Sequence, residues 1–322
     1  MEYKYHLLKY SGPTSRLTCP QCGSKHSFTP YVDACDNIIG EEYGRCNHES
    51  SCGYCKYPPS ESDSRWACFD YRERAAKPRQ RVVARPVTKP EPPGGICAIP
   101  GILVKETIRT DPLSDLLYYL CKLFDVDTLF NLVREYFLGV TDDGDIIYYQ
   151  IDQQCRCRTG KVMKYDRETG HRIKAPDRPG AITWMHSLLK RQGVLPKEWE
   201  LTQCLFGEHL LKKYPDKPVC LVESEKTALI GAAIMPQYVW VAVGGKSQFG
   251  DKVDVLYGRQ VIAFPDYDGY DYWVKKACER PYLNIYVSDY MLRHATEEDK
   301  RKGADIADVL VRSIPMRDEG VW

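Results

Sequence analysis

Three short apolar runs, at residues 219–223, 238–243 and 261–265, punctuate the C-terminal half of the chain. Each is too brief for a helix and rich in β-branched side chains, the pattern of strands buried on both faces of a parallel sheet. Between the first two, residues 228–233 have helical composition, and the second run ends at Gly244-Gly245. Strand, helix, strand, Gly turn, strand predicts a doubly wound unit, which binds ligands at the carboxyl ends of its strands. Upstream the period changes. Residues 114–124 and 126–136 predict two amphipathic helices, with Ser114 as an N-cap and Phe137-Leu138-Gly139 as a stop. From Gly139 to about Ile173 the chain alternates between turn signals at Asp143-Gly144 and Thr169-Gly170, which predicts an antiparallel meander. Residues 201–214 read as a helix leading into the strand at Val219. Residues 77–95 hold five prolines and few apolar side chains, an extended linker. The implied organisation is 1–70, a Cys-rich module; 71–95, a linker; 96–215, a helix-plus-meander subdomain; and 216–322, the parallel-sheet domain.

Net charge is +1 over 322 residues, so whole-chain electrostatics announce no partner. The charge is uneven, however: residues 72–89 carry seven basic side chains against the single acid Glu73. No segment is apolar for long enough to span a bilayer, and Met1-Glu2-Tyr3-Lys4-Tyr5 is no signal peptide, so a cytoplasmic protein with no membrane partner is expected. Fourteen cysteines in that setting point to metal ligation in preference to disulfides. Cys19-Pro20-Gln21-Cys22-Gly23 forms a knuckle, and Cys46, His48, Cys52 and Cys55 follow in a second cluster. Two such turns brought together give tetrahedral Zn²⁺ coordination, the zinc-ribbon arrangement, and so small a module needs such a staple. The expected ligands are Cys19, Cys22, Cys46 and Cys52, with Cys55 and His48 as alternates and Cys35 and Cys68 as bystanders. Lys25, His26, Phe28, Tyr31, Tyr43, Arg45, Lys56 and Tyr57 lie around them. That mixture suits phosphate contact and base stacking, though its aromatics equally suit the packing of a small core.

The first and third of these runs deliver acid: Glu223 follows the first, and Asp266-Tyr267-Asp268 the third. Carboxylates meeting at one sheet edge repel unless a divalent cation holds them, and hard oxygen ligands suit Mg²⁺. This arrangement resembles the Toprim domain shared by bacterial primases, type IA and II topoisomerases and some nucleases, which has a Glu after its first strand and an Asp-x-Asp after a later one. A zinc module ahead of it is the order of bacterial and plasmid primases. The middle segment extends the resemblance through Asp145-Ile146-Ile147-Tyr148-Tyr149, a basic stretch from Arg156 to Lys164-Tyr165, and Leu205-Phe206-Gly207.

That resemblance implies an α/β Toprim fold, a doubly wound and largely parallel sheet, preceded by a small α+β domain and a zinc ribbon. It implies a DNA primase-like nucleotidyltransferase of a plasmid or mobile element, copying single-stranded DNA from nucleoside triphosphates with Mg²⁺ or Mn²⁺. Asp266 and Asp268 would hold the cation. Glu223 would complete the site or act as general acid/base. Lys226, Arg158, Lys161 and Lys164 would neutralise phosphate. Gly245-Lys246-Ser247 imitates the end of a P-loop, but Trp240 stands where that motif needs Gly; Lys246 is instead expected beside the cation site, in reach of phosphate. A replicative helicase is a further candidate partner, although no counterpart of the family's helicase-binding domain is expected. Thr227 stands where primases carry an Asp, Gly269-Tyr270-Asp271 replaces a small Ala-Gly element, and Asp305 and Asp308 match a downstream acidic pair only loosely, Asp305 serving equally as an N-cap. These departures leave two alternatives open: a non-catalytic nucleic-acid-binding scaffold and a nuclease using the same carboxylates.

Overall fold

The computed structural model describes residues 6–32, 38–48, 51–56, 95–111, 113–173, 182–312 and 314. The chain forms two compact units, Met1–Pro78 and Arg79–Trp322. The basic stretch at 72–89, Tyr57, Cys35 and Cys68 lie outside the described residues. Among the described residues no helix is long and apolar enough to cross a membrane.

In the first unit, β1 (His6–Leu7), β2 (Phe28–Val32), β3 (Gly44–Cys46) and β4 (Cys55–Lys56) pair antiparallel in that order. Their core is Cys19, Phe28 and Cys46, with Leu17, Cys52 and Tyr54 packed against it.

The second unit opens with α1 (Gly101–Thr107), α2 (Asp115–Cys121) and α3 (Val126–Tyr136). Ser114 caps α2 by accepting from the Leu117 amide, and Phe137 ends α3 in a left-handed conformation, as the capping signals predict. The meander follows as β5 (Leu138–Val140), β6 (Ile146–Ile151), β7 (Cys157–Met163) and β8 (Thr183–Trp184), antiparallel in chain order. Its register breaks once: Gln150 pairs with Thr159 but Ile151 with Cys157, which leaves Arg158 as the extra residue of a bulge. Strand alternation then sorts β7 into two sets. Val162 and Cys157 join Ile147, Tyr149 and Ile151 in one apolar cluster. Thr159, Lys161 and Met163 share the other face with their partners Gln150, Tyr148 and Ile146.

After α4 (Met185–Arg191), residues 201–208 are not the helix that their composition suggests. Phe206 makes an antiparallel bridge to Ala242, exchanging both backbone bonds with it, and Gly207 sits at φ +79°. A bridge and a left-handed residue both stop a helix, so α5 covers only His209–Lys213.

The last third forms β9 (Val219–Val222), α6 (Glu225–Ile234), β10 (Val239–Ala242), β11 (Gln260–Phe264), α7 (Tyr270–Cys278) and β12 (Asn284–Val287). The sheet is wholly parallel, in the order β10-β9-β11-β12. The β9 side chains are all fully buried, as the unbroken apolar run requires. Helices α8 (Tyr290–His294), α9 (Glu297–Lys302) and α10 (Ile306–Val311) close the unit, and α10 packs on α6. From β9 the chain steps one way to β10 and the other way to β11. The ends of β9 and β11 therefore flank the switch point where such sheets open a crevice.

Candidate active site

Glu223 and Asp266 leave the sheet at that switch point, one after β9 and one after β11. Glu223 is only 6% exposed. Its carboxylate accepts from the Asp266 amide at 3.2 Å, and its carbonyl accepts from the Gly244 amide at 2.8 Å. Gly269 leaves room for that carboxylate, since a Cβ there would lie 2.5 Å from Glu223 Oε1. Ser224 caps α6 by accepting from the Thr227 amide at 3.1 Å. The first turn of α6 thus begins directly beside Glu223.

Burial is the largest influence on each of these acids, and neighbouring carboxylates add to it. Glu223 is pushed up to about 7 by burial, opposed by the Asp266 amide and reinforced by Asp268 and Asp305. Asp266 is pushed up to about 8 by burial, then by Glu223, Asp305 and Asp268. Asp305 is itself raised by burial and by Asp308. Asp305 thus raises the proton affinity of both Glu223 and Asp266, and Glu223 raises that of Asp266. Such a set gains from a cation, and its all-oxygen chemistry fits Mg²⁺ or Mn²⁺.

Asp268 sits differently from expectation. Its side chain is 74% exposed and paired with Lys246 Nζ at 2.9 Å. Among the described residues, the carboxylates do not reach the mutual 4.8 Å spacing that the four cysteine sulfurs of the first unit keep. Asp305, 37 residues or more from Glu223, Asp266 and Asp268 in sequence, is the member whose place the strand pattern could not give. It caps α10 in a reciprocal box with Asp308, and it accepts from Thr227 Oγ1. Thr227, standing where the resemblance led to an Asp, is therefore a hydrogen-bond donor to an acid supplied from elsewhere.

The expected phosphate-binding residues scatter. Arg158 is buried, its Nε donating to Asp152 at 2.7 Å and its Nη1 to the Thr202 carbonyl at 3.3 Å. It is a structural anchor at the bulge, because Asp152 also takes Arg156 and needs both cations in so buried a place. Lys161 is buried too, donating to both oxygens of Glu225 and to the Gly244 carbonyl. Lys164 is 61% exposed beside Asp145 at 3.4 Å. Lys226 reaches the Gly170 carbonyl at 3.3 Å and is felt electrostatically by Asp305. A basic stretch in sequence became separate places because alternation and one bulge turn its members apart. Glu225 and Lys252 were missed; a lysine alternating with apolar positions in a buried strand was the available signal for the first.

In the first unit the sulfurs of Cys19, Cys22, Cys46 and Cys52 lie within 4.8 Å of one another, with Cys19 to Cys52 at 3.8 Å and Cys22 to Cys46 at 3.9 Å. Four thiols at this spacing form a zinc-binding site. Gly23 at φ +68° and Gly53 at φ +65° make the two turns, each following a ligand cysteine. Cys55 lies on β4 with its neighbours in the ladder, and neither it nor His48 joins the four.

Residues 3–65 match a zinc β-ribbon finger family, and residues 114–267 match a family described as a domain of unknown function, DUF6371. No curated protein matches the chain. Among solved structures, it is similar to the primase fragment of the bacteriophage T7 primase-helicase protein at 14% identity, covering 92% of this chain and 98% of that one with a TM-score of 0.39. It is similar to the DnaG catalytic core at 14% identity, covering 66% and 81% with a TM-score of 0.40. It is also similar to the zinc-binding and RNA polymerase domains of the Aquifex aeolicus primase at 13% identity, covering 96% and 83% with a TM-score of 0.32.

Proposed function

We propose that this chain is a primase-type nucleotidyltransferase with a Toprim carboxylate site, acting on single-stranded DNA with nucleoside triphosphates. The observation that carries the reading is the meeting of Glu223 and Asp266 at the switch point, where the Glu223 carboxylate accepts from the Asp266 amide and both side chains feel the charge of Asp305. Asp266 and Asp268 would hold Mg²⁺ or Mn²⁺, with Asp305 adding negative charge behind them. When bound, such a cation neutralises triphosphate charge and stabilises the attacking and leaving oxygens. Glu223 would complete the cation site, its carboxylate already fixed beside Asp266 by the Asp266 amide. Lys246 and Lys226 stand at the rim to meet phosphate oxygens as charge develops. Arg158 and Lys161 have no part in phosphate contact, since their cationic heads are spent on Asp152 and Glu225. The zinc ribbon and the basic stretch at 72–89 supply salt-sensitive contacts to template.

The test incubates the protein with single-stranded DNA, labelled NTPs or dNTPs and Mg²⁺ or Mn²⁺, reading extension and cleavage on one gel. Extension by the wild type and its loss in a folded Asp266→Ala/Asp268→Ala variant are expected. Cleavage without extension would reassign the site to a nuclease, and neither product would point to a binding scaffold.

A further inference from the structure

We infer that Lys161 and Glu225 are a positioning pair, whose buried ion pair holds the Gly244-Gly245 turn in the place that sets the carboxylate site. The role rests on reading that edge as a cation site. Lys161 comes from the meander and Glu225 from the first turn of α6, so the pair ties two sheets together beside the switch point. Its exposure is 6% for the lysine side chain and 2% for the glutamate. The ammonium makes three bonds: to Glu225 Oε1 at 3.1 Å, to Oε2 at 3.0 Å and to the Gly244 carbonyl at 3.2 Å. Those three acceptors use its whole donor capacity.

The turn needs an external hold. Gly244 is at φ +89° and Gly245 at φ +149°, conformations that two adjacent glycines adopt freely and leave as freely. Two successive carbonyls are clamped: Gly244 by Lys161, and Val243 by Lys252 Nζ at 2.6 Å. A Cβ on Gly244 would lie 3.2 Å from Glu225 Oε1, so the turn rests directly on the pair. The held peptide borders everything that matters at the edge. The Gly244 amide donates to the carbonyl of Glu223, and two residues on Lys246 pairs with Asp268.

Stability alone does not account for this arrangement. A buried ion pair pays heavily in lost hydration, and a well-packed apolar pair of similar volume usually serves the fold equally well. What an apolar pair cannot replace is the donor on the Gly244 carbonyl. Removing Lys161 alone would strand a buried carboxylate and unfold the region, which is why the decisive variant removes both charges.

Lys161→Met/Glu225→Met is expected to keep a melting temperature close to that of the wild type. Amide hydrogen exchange at residues 244–248 is expected to quicken by about tenfold, as a local opening does. Mn²⁺ affinity, read by electron paramagnetic resonance of the free ion, is expected to fall by about tenfold, the usual effect of losing a partner that orients ligands. Lys161→Met/Glu225→Gln gives the same readings should the first variant fail to fold. Wild-type exchange and wild-type Mn²⁺ affinity in a stable double variant would overturn the positioning role. If the wild type binds no Mn²⁺ while exchange still quickens in the variant, the cation reading fails and the hold on the turn stands.

Discussion

Gly269 has φ −95°, a value open to any residue, so its glycine serves space and not conformation. The Cβ of an alanine would meet Glu223 Oε1, the far end of a side chain that can swing away. Gly269→Ala should therefore fold with near-normal stability while displacing the carboxylate from the Asp266 amide. Mn²⁺ affinity is expected to drop by about tenfold or more, in line with misorienting one ligand; titration calorimetry beside a thermal melt checks both halves. Unchanged affinity would mean that Glu223 lies outside the cation site. At this scale the sequence was readable where a residue acts through its chain neighbours. Glu223 and Asp266 follow strands, Ser114 and Ser224 cap helices, and Cys19 and Cys22 share a knuckle. It was opaque where the partner comes from far away, as with Thr227 and Asp305 or Lys161 and Glu225, because pairing across 64 or 78 residues leaves no local pattern.

Among the elements, the parallel strands were legible from unbroken apolar runs, and the meander from its turns. The segment before α5 was misread, since its apolar residues fit a helix and only the bridge to Ala242 decides otherwise. That bridge also covers the outer edge of β10, which is the last strand of its sheet. Glu208 holds the turn that follows, accepting from the Leu205 amide at 3.1 Å, and burial pushes it up from 4.5 to about 7. Asp152 adds to that shift, and Arg158 opposes it. A carboxyl that the fold prefers protonated contributes stability below its unfolded value, and the contribution is lost as pH rises through about 7. Lys252 beside it is pushed down to about 8 by burial, so it acts with the opposite sign, gaining stability as pH rises. A comparison of variants at each pH isolates Glu208. Glu208→Gln, which still accepts from Leu205 but never ionises, should match the wild type at acid pH near 4, below the unfolded value, and exceed it at pH near 8 by roughly 1–3 kcal/mol. Urea unfolding at the two pH values measures the gap; an equal gap at both would place the Glu208 titration outside this window.

For the molecule as a whole, the two units are held by different means. The second has a sheet whose β9 and β10 strands are buried on both faces, with Trp240, Phe264 and Trp273 among its fully covered side chains. The first has a core of Cys19, Phe28 and Cys46, backed by Leu17, Cys52 and Tyr54. Three of those six are members of the four-cysteine site, so the apolar core among its described residues is too small to offset the entropy of ordering the chain. Cysteine spacing announced this in the sequence, because a module so poor in aliphatic residues has no other means of folding. Its stability should then be the binding energy of the metal, and removal of zinc should act on one unit selectively. Stripping zinc with a chelator is expected to abolish amide-exchange protection along β2 and β3, whereas β9 and β11 retain theirs. Readdition of about one zinc per chain, the stoichiometry of one four-cysteine site, should restore it. Protection of β2 and β3 that survives complete metal removal would show that the first unit stands on its own core, and the structural role given to the four thiols would fall.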